Sequence, residues 1–276
     1  MAQFFNRTRA SASIELKLLR QGRPFGVLVY WLVRGSDLGR EGIEHSGSYR
    51  FADHIYRNIP SGHGRFGRWL DAKFLAMPAV KSFRNRFLAA RDELCQFLAD
   101  RAGQGNRLDI LSAPAGIPRE LAEGARLYRE RTGRSLEGVT FHGVDLDAEL
   151  LEKDKRFADE NGLPNFIPHQ GDALDRTTYP ENADFITCTG LAEFLNDDQL
   201  ARLYQIFFDV LRPDGLLVTS GMRRVWISEY LLRLAELRTH YRTASQLDAI
   251  ARQARFTDVA TRVDEFHIQT ILKAQK

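Results

Sequence analysis

Residues 108–120, LDILSAPAGIPRE, join a short apolar run to a group of small side chains. Ser112, Ala113, Ala115 and Gly116 follow the run directly, where small side chains let a ligand approach the backbone closely. The next segment has a helical pattern, and its first amides would be available to the same ligand. The glycine pattern G-x-G-x-x-G that accommodates a pyrophosphate is absent. The stretch therefore predicts a loop that holds a nucleoside or an amino-acid group.

Two aspartates follow the next two predicted strands. Asp145 ends one strand 29 residues after Gly116, where a carboxylate can accept hydrogen bonds from both hydroxyls of a ribose. The alternative for Asp145 is an ordinary surface acid. Asp172, in GDALD, can accept a bond from an exocyclic amine of a purine while Ala173 offers its backbone amide. An Asx turn or a helix cap is the alternative for Asp172.

Strand and helix patterns alternate from about residue 85 onwards, which is the order of an α/β domain with a mainly parallel sheet. The last two extended runs, FTDVATRVDEF and HIQTILKAQ, have no helix between them and predict an antiparallel pair. The earlier part is mainly helical and contains a turn-rich stretch, NIPSGHGRFGRW, at residues 58–69. We therefore expect two domains, residues 1–84 as a helical cap and residues 85–276 as the ligand-binding domain.

The stretch from about 108 to 220 resembles the class I S-adenosylmethionine-dependent methyltransferases. LDILSAPAG is similar to their motif I, GVDLD to their ribose-acid motif and GDALD to their adenine-side motif. The most specific likeness spans residues 187–220, where a loop after the fourth strand, a helix and the segment LRPDGLLV follow in the family's order. The resemblance implies an α/β fold with a Rossmann-like, doubly wound, seven-stranded sheet whose last strand is antiparallel. Residues 1–84 would add the mainly helical cap on the substrate side.

The resemblance also implies the cofactor, S-adenosyl-L-methionine, and the residues that bind it. Alanine stands at positions 113 and 115, where the family usually has glycine, and a methyl group fits there if φ stays negative. The implied reaction is in-line displacement at the sulfonium methyl, of the EC 2.1.1 type, which depends mainly on alignment in a site closed to water. The implied cofactor-binding residues are Ser112, Ala113, Gly116, Asp145, Leu146, Asp172, Ala173, Thr189 and Gly190.

Residues for the acceptor must come from outside these motifs, since the two aspartates would be occupied by cofactor. Tyr49, His54, Tyr56 and Arg57 lie together in SYRFADHIYRN, within the predicted cap. We expect them to form a lid over the methyl group, with the catalytic side chains among them. In the alternative, the aromatic rings pack the cap and the charges face solvent.

Composition limits the partners. The net charge is only +3 and the 39 basic residues are spread along the chain, so composition gives no strong argument for an anionic membrane surface, and we expect no nucleic acid as partner. The longest apolar stretch, PFGVLVYWLV at residues 24–33, has about half of the ~20 residues that a membrane-spanning helix needs. We expect no membrane span, and we interpret this stretch as buried core. A homodimer contact and an apolar substrate wall are its alternatives.

Cysteine and histidine spacings argue against metal and disulfide sites. Cys95 and Cys188 are too far apart for paired ligands, and a reducing, cytoplasmic location fits a chain with only two cysteines. His45, His54 and His63 recur every nine residues, which matches neither a helical nor a finger pattern of metal ligands. We therefore expect no bound metal.

Taken together, these features predict a methyltransferase that acts on a small-molecule acceptor. One alternative is a chain that keeps the methyltransferase fold but serves as an inactive interaction module, because motif I is altered. The other is a nicotinamide-dependent oxidoreductase, since Asp145 would bind a dinucleotide ribose equally well. The missing third glycine and the absence of a Tyr-x-x-x-Lys pair count against the oxidoreductase.

Overall fold

A computed structural model describes residues 16, 19–20, 24–44, 49–103, 107–225 and 239–276. The described residues form two compact units, one up to Arg84 and the other from Asn85 onwards. We call them the N-terminal unit and the sheet unit. The assignment of residues 1–84 to the substrate side stays a prediction.

The N-terminal unit is helical. Its small core contains the buried side chains of Leu38, Ile55 and Leu75, and Phe51 and Phe83 pack against them. The ring centroids of Phe51 and Phe83 are 6.2 Å apart. The last helix of this unit continues into the sheet unit. The helices are α1 (Pro24–Val33), α2 (Asp37–Glu44), α3 (Tyr49–Arg57), α4 (Gly64–Leu75) and α5 (Pro78–Arg101).

Helix α4 corrects the prediction of a turn-rich stretch at residues 58–69, because the chain is helical from Gly64. Gly67 lies inside this helix for a packing reason. A Cβ at Gly67 would stand 2.2 Å from the carbonyl oxygen of Gly35, so only glycine allows the two segments to approach. The number of glycines in this stretch therefore led to a wrong prediction of a turn, because Gly67 serves a close contact of a helix.

The sheet unit contains seven strands in the order β3-β2-β1-β4-β5-β7-β6. Strand β7 is antiparallel to both of its neighbours, whereas β1 to β5 are mutually parallel. This arrangement confirms the predicted seven-stranded fold and the closing antiparallel pair. The strands are β1 (Leu108–Ser112), β2 (Val139–Asp145), β3 (Phe166–Gln170), β4 (Ala183–Cys188), β5 (Leu211–Met222), β6 (Asp258–Val263) and β7 (Gln269–Gln275).

Helices connect the strands, and local sequence signals set where several of them begin. Asp147 caps one helix through bonds from the amides of residues 149 and 150. Capping boxes start two others, with Asn196 paired to Gln199 and Thr243 paired to Gln246. The helices of this unit beyond α5 are α6 (Arg119–Thr132), α7 (Ala148–Glu160), α8 (Asp197–Val210) and α9 (Ala244–Gln253).

The main core lies between the sheet and helices α5, α6 and α7. Leu94 of α5, Leu121 of α6 and Ala158 of α7 are fully buried there, together with Phe141 and Phe185 from the strands. Five of the six residues of β4 are buried, as expected of a strand covered on both faces. The core therefore fixes the positions of the strand ends at which the predicted ligand residues lie.

Residues 24–33 form helix α1, and the prediction that this stretch is buried core is wrong for three of its side chains. Tyr30 is buried, but Leu28, Trp31 and Leu32 are 59%, 55% and 48% exposed. A helix that is apolar all round cannot bury every face against a small core. Among the described residues, no helix has the length and apolar character needed to cross a bilayer.

The close contact at Gly67 generates a stability prediction. Gly67→Ala should lower the free energy of unfolding by about 3 kcal/mol, because the new methyl group collides with a backbone oxygen that cannot move aside. Urea denaturation followed by circular dichroism measures this change. The neighbouring exposed residue provides the control, since Arg68→Ala should change stability by less than about 0.5 kcal/mol. Equal stabilities of the two variants would contradict the packing argument.

Candidate functional site

The carboxyl ends of β1, β2 and β4 meet at one edge of the sheet. Ser112 ends β1 and is paired with Gly143 of β2 and Thr187 of β4. The loop that follows is tied to both neighbours, because Ala113 N donates to Thr187 O at 3.0 Å and Ala115 N donates to the carbonyl oxygen of residue 144 at 2.8 Å. The sheet order reverses here, since β1 lies between β2 and β4, and this is where open α/β sheets bind ligands.

The loop at residues 112–116 has the negative φ angles that its two alanines require. Ala113 and Ala115 keep negative φ, and Gly116, with φ of +50°, takes the left-handed conformation that favours glycine. The methyl groups that replace the usual glycines are therefore accommodated without backbone strain. The altered motif still forms a close turn between β1 and α6.

Asp145 joins this loop to the end of β2. Its carboxylate accepts hydrogen bonds from Gly116 N at 3.2 Å and from Asp147 N at 3.1 Å. Burial raises the pKa of Asp145, and the bonds from Asp147 and Gly116 oppose that rise. Each carboxylate oxygen can accept a second bond, so hydroxyl donors can still be bound. Leu146, the next predicted residue, is about one-third exposed.

The structure places Asp172 and Ala173 in the loop after β3. Asp172 Oδ1 accepts a bond from Leu174 N at 2.9 Å, so the Asx-turn alternative describes its local contact. Ala173 is buried, and its carbonyl oxygen accepts a bond from the hydroxyl of Tyr179 at 2.7 Å. Gly171 N donates to the carbonyl oxygen of Asp145 at 2.9 Å, which brings the two predicted loops together. A contact to a purine stays a prediction for this pair.

Thr189 and Gly190 follow β4. Gly190 has φ of +94°, and a Cβ there would lie 2.6 Å from a guanidinium nitrogen of Arg86. Arg86 is itself buried and forms a salt bridge with buried Glu193. A buried ion pair stabilises a protein only when its geometry is good and its polar atoms are hydrogen-bonded. Here the pair joins α5 to the loop after β4. The sequence analysis did not identify Arg86, because nothing in an amphipathic helix marks one arginine as buried.

Glu120 is a second residue that the sequence analysis missed. Ser112 Oγ donates a hydrogen bond to Glu120 Oε1 at 2.7 Å, and both residues are buried. Burial raises the pKa of Glu120 to about 7, against the effect of the Ser112 bond. An acid in the first turn of a helix is ordinarily explained by the helix dipole, so the type and position of Glu120 did not indicate that it is buried beside Ser112.

Asp154 of α7 is a buried carboxyl group in the same region. It is fully buried, and neither of its oxygens has a hydrogen-bond partner within the described residues. Burial and the negative charges of Asp145 and Glu120 raise its pKa to about 9, so it is protonated at neutral pH. Asp154 is four residues after Leu150, which places it on the buried face of α7. This spacing could have predicted its burial, but the neighbouring Lys153 and Lys155 made the segment look exposed.

The four residues predicted to contact the acceptor lie on helix α3, and both ring nitrogens of one of them, His54, are already paired with carboxylates. His54 Nδ1 lies 3.0 Å from Glu41 Oε2, and His54 Nε2 lies 3.1 Å from Asp71 Oδ2. Hydrogen bonds to Asp71 and Glu41 raise the pKa of His54 to about 10. The imidazole is therefore charged at neutral pH with both nitrogens engaged. The imidazole charge therefore lies between two carboxylates and does not face solvent, and a protonated ring cannot act as a general base.

Asp71 is the centre of this network. It is fully buried and also accepts bonds from Ser36 Oγ at 2.6 Å, Leu38 N at 2.8 Å and Ser61 N at 3.0 Å. Burial alone would raise the pKa of Asp71, but the bonds from His54 and its other donors hold it below the ordinary value. The network joins α2, α3 and α4, so it stabilises the N-terminal unit.

The other three residues on α3 differ in exposure. Tyr56 stacks on Phe83 with ring centroids 6.3 Å apart, as expected for an aromatic ring that packs the unit. Tyr49 is half-buried, with its hydroxyl oxygen 3.4 Å from Arg50 Nε, and Arg57 is exposed. Contact of Tyr49 or Arg57 with an acceptor stays a prediction, and Tyr56 packs against Phe83.

Metal ligands do not cluster in the part of the chain that the structure describes, where no three His, Cys, Asp or Glu side chains are placed to hold an ion. His45 lies outside the described residues, and His63 is exposed. Cys95 and Cys188 are both buried free cysteines. Burial raises the pKa of the Cys188 thiol, which keeps it protonated and unreactive.

The network around His54 predicts a pH-dependent stability. The folded pKa of His54 lies above its unfolded value, so its contribution is complete below about pH 6.5 and is lost as the pH rises towards about 10. His54→Gln should lower the free energy of unfolding by about 3 kcal/mol at pH 6.5, because it leaves Asp71 buried without its cation. Urea denaturation across this range should show the difference shrinking as the pH rises.

The exposed histidine gives the control for this series. His63→Gln should follow the wild-type stability at every pH, since the side chain lies at the surface. A constant difference between wild type and His54→Gln from pH 6.5 to pH 10 would contradict the assigned proton.

Comparison with known proteins identifies the family. Residues 25–276 match a family model described as "Putative methyltransferase". The uncharacterized protein YnbC of Escherichia coli K12 is 23% identical over 240 residues, which are 80% of this chain and 39% of YnbC. The ubiquinone biosynthesis O-methyltransferase of a Shewanella species is 29% identical over 112 residues, 37% of this chain and 46% of that enzyme. The chain thus spans less than half the length of these curated relatives.

Solved structures show the same fold. A possible exported protein from Bordetella parapertussis superposes with a TM-score of 0.76 at 23% identity, with 97% of each chain covered. Magnesium protoporphyrin IX methyltransferase from Synechocystis, with S-adenosylhomocysteine bound, gives a TM-score of 0.56 at 12% identity over 81% of this chain and 93% of that one. With the family match over nearly the whole sequence, the sheet order and the motif loops, we conclude that the chain belongs to a methyltransferase family of the class I, S-adenosylmethionine-dependent type.

Proposed function

We propose that this protein transfers a methyl group from S-adenosylmethionine to a small-molecule acceptor. The observation that carries the proposal is the joined pair of loops after β1 and β2, where Gly116 N donates to the Asp145 carboxylate at the switch point of the sheet. An acid and a close backbone turn at this point are what an adenosyl group needs. S-adenosylmethionine, when bound, supplies an electrophilic methyl group on a sulfonium sulfur.

The residues at this edge fit the polar groups of that cofactor. Asp145 would accept the ribose hydroxyls, and Asp172 with Ala173 would bind the adenine. The backbone of residues 112–116 and of Thr189 and Gly190 would border the methionine part. Thr187 Oγ1 and Glu193 Oε2 are buried near this edge without a hydrogen-bond partner among the described residues. Orphaned buried polar atoms of this kind are rare unless a ligand or water satisfies them, which supports a polar occupant.

The protein's contribution to the reaction is alignment and exclusion of water. Asp145 and the backbone of residues 112–116, which would hold the cofactor, would fix the position of its methyl group relative to the acceptor, and a correctly aligned pair of reactants gains most of its rate from that alignment. An acceptor with a high pKa also needs a base to take its proton.

For the acceptor side we propose the N-terminal unit, residues 1–84. Within α3, Tyr49 and Arg57 are the candidates for direct contact with the acceptor, whereas His54 and Tyr56 would act by holding the helix in place. The small size of the acceptor is supported by the relatives' names, which refer to ubiquinone biosynthesis and to magnesium protoporphyrin IX. An inactive interaction module is less well supported, because the altered motif I folds without strain.

A cytoplasmic, reducing location is part of the same proposal. Its support is the pair of buried free cysteines, Cys95 and Cys188. The similar Bordetella protein is described as a possible exported protein, so fractionation of the native host is the direct measurement. Recovery of the chain outside the cytoplasm would remove this part of the proposal and leave the proposed reaction standing.

Asp145 provides the sharpest test of the proposed cofactor. Asp145→Asn should weaken binding of S-adenosylhomocysteine by about 1.5–3 kcal/mol, the range for hydrogen bonds to a charged group. Relief of the buried charge favours the variant, whereas its amide nitrogen cannot accept the bond from Gly116 N or from Asp147 N, so we expect a melting temperature close to that of wild type. Isothermal titration calorimetry and thermal unfolding measure the two effects separately.

Glu149→Gln is the matched control, since this exposed residue begins the next helix and takes no part in the proposed site. Its affinity for S-adenosylhomocysteine should equal that of wild type. An Asp145→Asn protein that binds S-adenosylhomocysteine with full affinity would refute the ribose contact.

Ligand-induced stabilisation separates the proposed function from an oxidoreductase. S-adenosylmethionine and S-adenosylhomocysteine should raise the melting temperature, whereas NAD should leave it unchanged, because only a ligand of the native state shifts unfolding. Stabilisation by NAD alone would overturn the assignment. No shift with any of the three would favour the inactive interaction module.

A further inference from the structure

Exposed apolar side chains are concentrated in the N-terminal unit. In the described residues, ten large hydrophobic side chains are exposed, and eight of them lie before residue 70. Within the described part of the larger sheet unit, the exposed large hydrophobic side chains are Leu146 and Ile167. Single exposed apolar residues are normal, but a concentration of this kind marks an interaction surface. The eight are Leu16, Leu19, Leu28, Trp31, Leu32, Ile59, Phe66 and Trp69.

Helix α4 carries one row of this surface. Phe66 and Trp69 are 54% and 55% exposed, and their rings stack with centroids 5.9 Å apart. Lys73 Nζ lies 5.9 Å from the centroid of the Trp69 ring, one turn further along the helix. Arg65 and Arg68 are exposed beside them. The exposed side of α4 therefore combines large aromatic rings with positive charges.

Helix α1 carries the second row, formed by Leu28, Trp31 and Leu32. The guanidinium of Arg34 lies 5.1 Å from the centroid of the Trp31 ring, so a cation again accompanies the exposed tryptophan. The end of α1 adjoins the start of α4, because His63 N donates to Gly35 O at 3.1 Å. The two rows are thus neighbours within one folded unit.

Charge is divided unevenly along the chain. Residues 1–84 contain 14 Lys and Arg against six Asp and Glu, a net charge of +8, whereas residues 85–276 contain 25 against 30, a net charge of −5. The overall value of +3 hides this asymmetry. Two of the six acids, Glu41 and Asp71, already pair with His54. The N-terminal unit therefore attracts anionic partners at low and moderate ionic strength.

We propose that this face of the N-terminal unit, formed by α1 and α4, binds the surface of an anionic lipid bilayer. Tryptophan and phenylalanine rings favour the boundary between headgroups and acyl chains, aliphatic side chains favour the chains below it, and basic residues bind anionic headgroups. The unit presents all three together. None of the proposed cofactor residues belongs to α1 or α4, so the proposal does not depend on the proposed reaction.

Two other partners fit the same face less well. A second copy would bring a net charge of +8 against another +8, which opposes association through this unit. Single-stranded nucleic acid would stack on the aromatic rings, but Leu28 and Leu32 offer no planar surface to a base. A bilayer accommodates the aliphatic side chains, the rings and the cations together.

The test is binding of the full chain to vesicles. In sedimentation assays the wild type should bind vesicles of phosphatidylcholine mixed with phosphatidylglycerol, bind pure phosphatidylcholine more weakly, and dissociate as salt is added. Two of the three tryptophans lie on the proposed surface, so their fluorescence should shift to shorter wavelength when the mixed vesicles are added. No binding to the mixed vesicles would overturn the proposal.

Variants assign the binding to this face. Phe66→Ser combined with Trp69→Ser should weaken binding to the mixed vesicles by about tenfold or more, because two apolar anchors are lost. Arg65→Glu combined with Arg68→Glu should weaken it to a similar degree by reversing the local charge. Ile167→Ser removes an exposed apolar side chain from the sheet unit and should leave binding unchanged. Thermal unfolding confirms that each variant is folded.

Further outcomes decide against the bilayer. If the Ile167→Ser control weakens binding as much as the aromatic double variant, the face is not specific and the proposal fails. If the aromatic variant converts a dimer into a monomer while the wild type ignores vesicles, the face binds a second copy instead. If it abolishes binding of single-stranded RNA and the wild type ignores vesicles, the partner is nucleic acid. Titration with S-adenosylhomocysteine tests the proposed reaction independently of these results.

Discussion

The hydrogen bond between Gly116 N and the carboxylate of Asp145 is the contact on which the candidate site depends. It joins the turn after β1 to the end of β2, and the bond from Gly171 N to the Asp145 carbonyl extends the connection to the loop after β3. Three loops from separate parts of the chain are thereby joined by hydrogen bonds within the protein itself. Such bonds reduce the freedom that loops lose on binding a ligand, which is the advantage that the proposed cofactor site would gain from them.

The same edge contains more buried acidic groups than folding alone would favour. Glu120 and Asp154 have pKa values raised mainly by burial, and Asp154 also responds to the negative charges of its neighbours. Removing such groups from water costs stability, and natural proteins tolerate that cost mainly at functional sites. The salt bridge between Arg86 and Glu193 adds a charged pair at the base of the loop after β4. The polar character of this region therefore argues for function independently of the motifs above it.

Local signals were sufficient to predict the fold and insufficient for the buried polar residues. Alternating apolar runs predicted the strand and helix order from about residue 85 and the closing antiparallel pair, because such patterns act over a few residues. The buried state of Arg86, Glu120 and Asp154 depends on elements distant in sequence, which periodicity does not encode. Apolar composition wrongly predicted burial for three side chains of α1. Composition indicates which side chains prefer to be buried, but it does not indicate how much core surface is available to bury them. The roles of the predicted site residues stay predictions.

The position of β7 has a consequence for how the sheet is completed. This strand, residues 269–275, is inserted between β5 and β6, although it is the last of the seven along the chain. Strand β6 pairs with β7 and forms the edge, so it joins the sheet only through β7, whose pairing with β5 spans about 50 residues of chain. Assembly of this side must therefore wait for late, long-range pairing, a slow step that leaves strand edges open to other chains in the meantime. A short deletion within residues 269–275 would split the sheet from the inside and leave β6 without a partner.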